Sequence, residues 1–175
     1  MSWIRALVAF LAVSVALVLQ VSLFPHLAWH GIVPNLCLLV VVGAALTRGP
    51  QFAAVLGFVA GVALDLAPPA DHLAGRWALA LVVVGYVAGQ VRQGGRQDGR
   101  PSAATVVATV AASSFVGTSV FALSGIVLGD PISIPELLQV IVVALFWDVL
   151  LTPFVLPPVM AMFRRLEPDR SLVQR

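Results

Sequence analysis

Five clusters of helix breakers cut this chain into six apolar runs, and nearly all of its charge lies at the cuts. Pro25 and Gly31 close the first run, Gly49-Pro50 the second and Pro68-Pro69 the third. Gly94-Gly95, Gly99 and Pro101 follow the fourth, and Gly129-Asp130-Pro131 with Pro135 the fifth. Residues of these types stop helices because they lack an N–H or take backbone angles that a helix does not use. Sixty percent of the residues are apolar and ten percent charged. Runs of that length are not packed into one soluble core of this size; they suit helical crossings of a bilayer, at roughly 20 residues each. The predicted fold class is an all-α integral membrane protein, a compact bundle of six transmembrane helices. The spans fall at about 3–24, 32–47, 52–67, 76–91, 103–128 and 137–163. Loops this short leave no room for a soluble domain, so residues 1–175 form one membrane domain with a short basic tail at 164–175. The second and third runs are short, and are expected to stand upright or to thin the bilayer locally.

The arginines orient the bundle. There is no lysine, and with a cytoplasmic N-terminus the inner side receives Arg5, Arg48, Arg92, Arg96, Arg100, Arg164, Arg165, Arg170 and Arg175. The outer side receives only Arg76. Short inner loops rich in Arg are the usual signature of orientation, so both termini are expected in the cytoplasm. The first run follows Arg5 as a signal peptide would. No small-x-small cleavage site succeeds it, and Gln20-Val21-Ser22-Leu23-Phe24 is read as part of an uncleaved first helix. Trp3, Trp29 and Trp77 fall near the expected interfaces, where an amphipathic ring is favoured. Trp147 does not, and lies beside an acid. The basic balance fits arginines facing anionic lipid rather than a nucleic-acid surface.

Small residues mark where helices meet. Gly57, Gly61 and Asp65 recur every four residues and share one helix face. Glycines at that spacing allow close approach of a second helix where lipid competes for every apolar contact. The fourth run repeats the device with Gly85 and Gly89, and the fifth carries Thr105, Thr109, Ser113 and Gly117. Ordinary close packing accounts for most of this pattern; a docking ridge for a partner helix is the functional alternative.

Two acids lie within the runs. Asp65 is near the outer end of its helix, where Arg76 at the start of the next helix is an available partner; a ligand or partner contact is the alternative. Asp148 lies about twelve residues into the sixth run, on the order of 18 Å along the axis, which is close to the bilayer centre. A charge there costs several kcal/mol, about 3 or more, unless it pairs, neutralises or faces water. The polar groups at that depth are Gln20, Asn35, Gln90, Tyr86 and the Ser/Thr ridge, none of them basic. A protonated Asp148 hydrogen-bonded to one of these is the expected state, either as a buried interhelical bond or as a proton-coupled or ligand site. Pro153 and Pro157-Pro158 downstream release backbone carbonyls that other groups must satisfy.

Several chemistries lack their residues. His26 and His30 have helical metal spacing, but Pro25 and Gly31 bracket them and no Cys or carboxylate completes a set. Asp71 and His72 read as a solvated turn. Cys37, the single cysteine, has no disulfide partner in the chain and no activating neighbour in sequence. No phosphate loop, nucleophile elbow or Ser/His/Asp set is present. No catalytic residue, metal or cofactor is expected, and the chain is not read as an enzyme.

Pro34-Asn35-Leu36, then Gly57-x-x-x-Gly61-x-x-x-Asp65, Gly75 and Gly85-Tyr86-x-x-Gly89 together resemble the rod-shape-determining MreD family of bacterial inner-membrane proteins. Asn35 stands where many members carry an acid. The resemblance implies a non-enzymatic scaffold of the cell-elongation machinery. Its partners would be a bitopic MreC protein, the MreB filament and peptidoglycan polymerases, with a role in cell shape and peptidoglycan synthesis. Gly57, Gly61 and Asp65 are then the expected partner-docking face, supported by Gly85 and Gly89. Arg92, Arg96 and Arg100 are the expected cytoplasmic or lipid contact, or plain topology determinants. The alternative is a substrate-capturing subunit of an energy-coupling-factor (vitamin-type) transporter, an architecture to which the family is similar, with Asn35, Asp65 and Arg76 lining a pocket. A small permease built on Asp148 is a third reading, weakened by the lack of a relay. On the scaffold reading, Gly61→Leu detaches a partner and leaves insertion intact.

Overall fold

A computed structural model describes residues 2–29, 31–68, 73–94, 101–130 and 133–165. Among them the chain forms six α-helices and no strand: α1 (Ser2–Ser22), α2 (Leu36–Arg48), α3 (Pro50–Leu66), α4 (Arg76–Gly94), α5 (Ala103–Val127) and α6 (Ile134–Arg165). One turn of 3-10 helix, Phe24–Leu27, follows α1. Trp3–Ser22, α5 and α6 are each long and apolar enough to cross a membrane; α2 and α3 are apolar but shorter. The expected runs match these helices, with shifted ends. The second starts at Leu36 rather than near 32, because Pro34 and Asn35 hold the chain out of helix until Asn35 caps it. The sixth starts at Ile134, three residues early, behind a reciprocal cap. There Ser133 N–H donates to Glu136 Oε2 (3.1 Å) and Glu136 N–H donates to Ser133 Oγ (3.4 Å).

The shortest helix is the centre of the bundle. Every residue from Leu36 to Thr47 is buried, and α2 touches all five other helices. A helix apolar on every face has no side suited to water and is favoured at the middle of a bundle. Around it α3 packs on α4, α4 on α5 and α5 on α6, while α1 rests on α2 and α3. The α1 seam is narrow, formed by Ala9, Val13, Ala16 and Gln20. Ala12 and Leu17 flank the seam, half-buried, and Leu7, Phe10, Leu11, Val15 and Val18 face outward.

The turn between α2 and α3 is a single residue. Gly49 has φ +88° and ψ 178°, a combination essentially confined to glycine, and Pro50 then opens α3 with its φ already helical. Gly43 brings α6 close to α2: a methyl group there would lie 2.6 Å from Val159 Cγ1.

Candidate functional site

The glycine ridge predicted from the sequence is the seam between α3 and α4. A methyl group on Gly57 would overlap the Leu81 carbonyl, and one on Gly61 would lie 2.5 Å from both Ala78 N and Trp77 O. In return, Gly85 faces the backbone of Ala53 and Gly89 that of Pro50. Contacts step by four residues up one helix and down the other, so the two run antiparallel with backbone against backbone. The expectation that Gly57, Gly61, Gly85 and Gly89 offer a docking face to a second protein is therefore corrected. The chain's own helices fill that face, and a partner helix could use it only by displacing α4.

Asp65, expected to share that docking face and to pair with Arg76, is turned toward the start of α4. Its Oδ2 accepts from Gly75 N–H (2.8 Å) and Ala78 N–H (3.1 Å), and its Oδ1 from Trp77 N–H (3.0 Å). These groups belong to the first turn of a helix and have no partner within it, and a carboxylate there also meets the positive end of the helix dipole. The third residue of the Gly57-Gly61-Asp65 pattern thus caps the helix that the two glycines pack against.

Arg76 instead reaches α5. Its Nη1 pairs with Asp130 Oδ2 at 2.6 Å, and its Nη2 donates to Phe121 O at 3.0 Å. Its guanidinium lies 4.1 Å over the Phe121 ring, which also stacks on Trp77. The C-terminus of α5 sets this up. Gly129 takes φ +96°; its N–H donates to Ile126 O, and Asp130 N–H to Gly125 O. This left-handed stop turns the chain back on the helix and leaves Asp130 beside Arg76. Gly125 provides the space, since a methyl there would meet the guanidinium and come within 2.7 Å of Asp130 Oδ2. In the sequence Gly129-Asp130 reads as a breaker; glycine followed by an acid at a helix end is the signal for this pairing.

This arrangement predicts a graded series. Arg76 is 6% exposed and Asp130 46%. Arg76→Ala is expected to lower stability by about 2 kcal/mol, since it removes two charge-assisted hydrogen bonds in a largely buried place. Asp130→Ala should cost less, about 1 kcal/mol: it strands Arg76 Nη1, but the guanidinium keeps the Phe121 carbonyl and ring, and the half-exposed place of Asp130 admits water. Gly125→Ala should resemble Arg76→Ala. Thermal unfolding in detergent measures all three; equal losses for Arg76→Ala and Asp130→Ala would refute the ranking.

The second acid lies deep in the bundle. Asp148 is 1% exposed. Its Oδ1 accepts from the backbone N–H of Asn35 (2.8 Å) and its Oδ2 from the hydroxyl of Ser114 (2.7 Å). The Asn35 side chain accepts from Leu38 N–H (2.9 Å), and Gln20 Oε1 accepts from Cys37 N–H (3.3 Å). Asp148 lies about 21 Å along α6 from its first residue, so α2 starts level with the middle of α6. A helix that begins inside a bundle cannot leave its first N–H groups to water, and three polar side chains from α1, α2 and α6 take them. Asp148 is buried and hydrogen-bonded, but it accepts both bonds rather than donating one as the expected protonated form would, and its surroundings differ from the expectation in three respects. Asn35 contributes its backbone rather than its side chain, and the hydroxyl is Ser114, next to the ridge residue Ser113. Gln20 serves Cys37 instead of Asp148.

Three buried donors have no partner among the described residues: Asn35 Nδ2, Arg76 Nε and Trp147 Nε1. Asn35, Asp65 and Arg76, grouped by the transporter reading, are all buried and bonded to protein. On the opposite side, Arg48 sits over the Phe52 ring (5.0 Å), and Arg92 Nη1 lies 3.7 Å from where a Gly49 side chain would begin. Arg96 and Arg100 lie outside the described residues, as do His30, Asp71, His72 and the tail from 166 onward. Among the described residues no three His, Cys, Asp or Glu side chains come together as a metal set.

The family model for rod shape-determining protein MreD matches residues 1–166, which include all six helices. No curated protein and no solved structure matches the chain.

Proposed function

Because the chain belongs to the rod shape-determining protein MreD family, we propose that it is a non-enzymatic membrane scaffold of the bacterial cell-elongation machinery. On this reading its six helices cross the cytoplasmic membrane with both termini inside. It binds an MreC-like bitopic protein and, with MreB and peptidoglycan polymerases, helps control cell shape and wall synthesis. The family match across all six helices carries the proposal. Nine of ten arginines falling to one side support the orientation, and Arg92, Arg96 and Arg100 then face cytoplasmic partners or anionic lipid.

The commitment of the polar groups favours a scaffold over a capture subunit. A capture site needs convergent polar groups lining an open pocket. Here the two intramembrane carboxylates and Gln20 are spent on helix starts, and Arg76 on the end of α5. On this reading any likeness to energy-coupling-factor capture subunits is confined to architecture.

Gentle extraction of the tagged protein at native level, with mass spectrometry of what accompanies it, tests this. The expected result is an MreC-like single-span protein together with cell-wall synthases. ATPase subunits with a bound small molecule in their place would overturn the scaffold in favour of transport.

A further inference from the structure

The outward face of α6 poses a chemical problem that the bundle does not solve. Asp148, Thr152, Leu156, Met160 and Phe163 point into the core. Leu150, Pro153, Phe154, Pro157 and Pro158 form the opposite, exposed stripe, with Phe154 73% exposed. Three of those five residues are prolines inside a continuous helix. A proline has no N–H to give the carbonyl four residues earlier, and its ring pushes that carbonyl aside. The carbonyls of Val149, Pro153 and Phe154 therefore lose their helical donors, on the side of the helix where the rings lie.

Location makes this consequential. Phe154 is about 16 Å along the helix from Arg165, well inside an apolar stretch long enough to cross a membrane. Hydrocarbon has no donors, and an unsatisfied backbone group there costs several kcal/mol; helical prolines persist in membranes where neighbouring groups satisfy what they release. Within α6 the nearest hydroxyl is already engaged, since Thr152 Oγ1 donates to Asp148 O (2.8 Å) on the core side. The stripe itself consists of leucine, proline and phenylalanine, and offers no donor. A second copy presenting the same stripe brings only more acceptors.

We propose that the Leu150–Pro158 stripe of α6 is the seat of a partner's transmembrane helix, one that carries amide or hydroxyl side chains aligned with the carbonyls of Val149, Pro153 and Phe154. The occupant follows from complementarity: a row of exposed acceptors at membrane depth is matched by donors and not by an apolar helix. The proposal rests on the membrane-scaffold reading and gives its partner a place, since the glycine ridge is filled from within.

The test places the labelled full-length protein in liposomes with acceptor-labelled synthetic helices, and reads association by energy transfer. One peptide is a leucine-rich host; the other is the same host with two asparagines four residues apart, used below the density at which it self-associates. The asparagine peptide is expected to associate about tenfold more tightly than its parent, as two interhelical hydrogen bonds allow. The triple variant P153A/P157A/P158A restores all three helical donors and should lose that preference without a lower unfolding temperature. Should the triple variant fold poorly, P157A/P158A returns donors to the Pro153 and Phe154 carbonyls and should lose most of the preference. Equal association of the two peptides, or a preference that survives in both proline variants, overturns the proposal. Loss of the preference while the MreC-like protein is still recovered from proline-substituted cells would move the natural partner to another face. The scaffold reading would stand in that case.

Discussion

Gly61→Leu is expected to break the α3–α4 half of the bundle, not merely to detach a partner. The first side-chain carbon already meets backbone at Gly61: Ala78 N and Trp77 O both lie 2.5 Å away. Backbone in a helix has no rotamer through which to yield, so the two axes must separate. Separation would open the contacts at Gly57, Gly85 and Gly89 as well, and would draw the first turn of α4 away from Asp65. Overpacking a core commonly costs about 1–3 kcal/mol. With a whole backbone seam and a cap involved, about 3 kcal/mol or more is expected, a large share of a typical domain stability of roughly 5–15 kcal/mol. Val55→Leu is the control: it enlarges a side chain by one methylene on the same helix at an exposed position and should change nothing measurable. Unfolding in detergent, read by a thermal midpoint and by monodispersity, separates the two. A Gly61→Leu protein with the parental midpoint would mean that α3 and α4 are not packed as described, and the ridge would again be open to a partner.

That reversal shows what was legible in the sequence. Periodicity identifies the face, since four-residue spacing of glycines says that a backbone comes close. It cannot identify whose backbone, because that depends on how two distant faces align in three dimensions. The reciprocal spacing of Gly85 and Gly89 on the next helix was the available clue to an internal answer. Six helices were readable because breakers and apolar runs coincide. The inner start of α2 was not, since Ile32 and Val33 are as apolar as the helix and only the Pro34-Asn35 cap excludes them. The charges behaved similarly. Burial required both acids to find donors, and both did. Asp65 takes backbone N–H groups in place of Arg76, and Asp148 takes the backbone of Asn35 beside the Ser114 hydroxyl; a search among side chains overlooks backbone N–H groups, which are the donors at every helix start. Arg76 found Asp130 through a Gly129 turn whose direction no hydropathy pattern records.

Seen together, Asp65 and Asp148 have one chemistry in two places. Each accepts backbone N–H at the first turn of a helix that starts where water is scarce, and each joins that helix to another: α3 to α4, and α6 to α2. Asp148 adds α5 through Ser114, so a single carboxylate ties α5 and α6 to the central α2. Both acids are committed to hydrogen bonds that join helices, an arrangement that argues against a permease built on Asp148.

Substitutions at Asp148 should therefore rank by hydrogen-bonding capacity rather than by charge. Asp148→Leu keeps the branching at Cγ, adds some bulk, and leaves Asn35 N–H and the Ser114 hydroxyl buried without their acceptor. At about 1–3 kcal/mol for each stranded group, the expected loss is on the order of 2–6 kcal/mol, as large as that at Gly61. Asp148→Asn keeps one carbonyl oxygen for Asn35 N–H and offers an amide to Ser114, whose hydroxyl can accept as readily as it donates; a loss of about 1 kcal/mol is expected. Ser114→Ala on top of Asp148→Leu removes one stranded group and should recover part of the deficit, the opposite of what independent damage would give. Unfolding midpoints of the four proteins decide the matter. If Asp148→Asn is as damaging as Asp148→Leu, the carboxylate's charge itself is needed, and the node would have a role beyond holding the start of α2 in place.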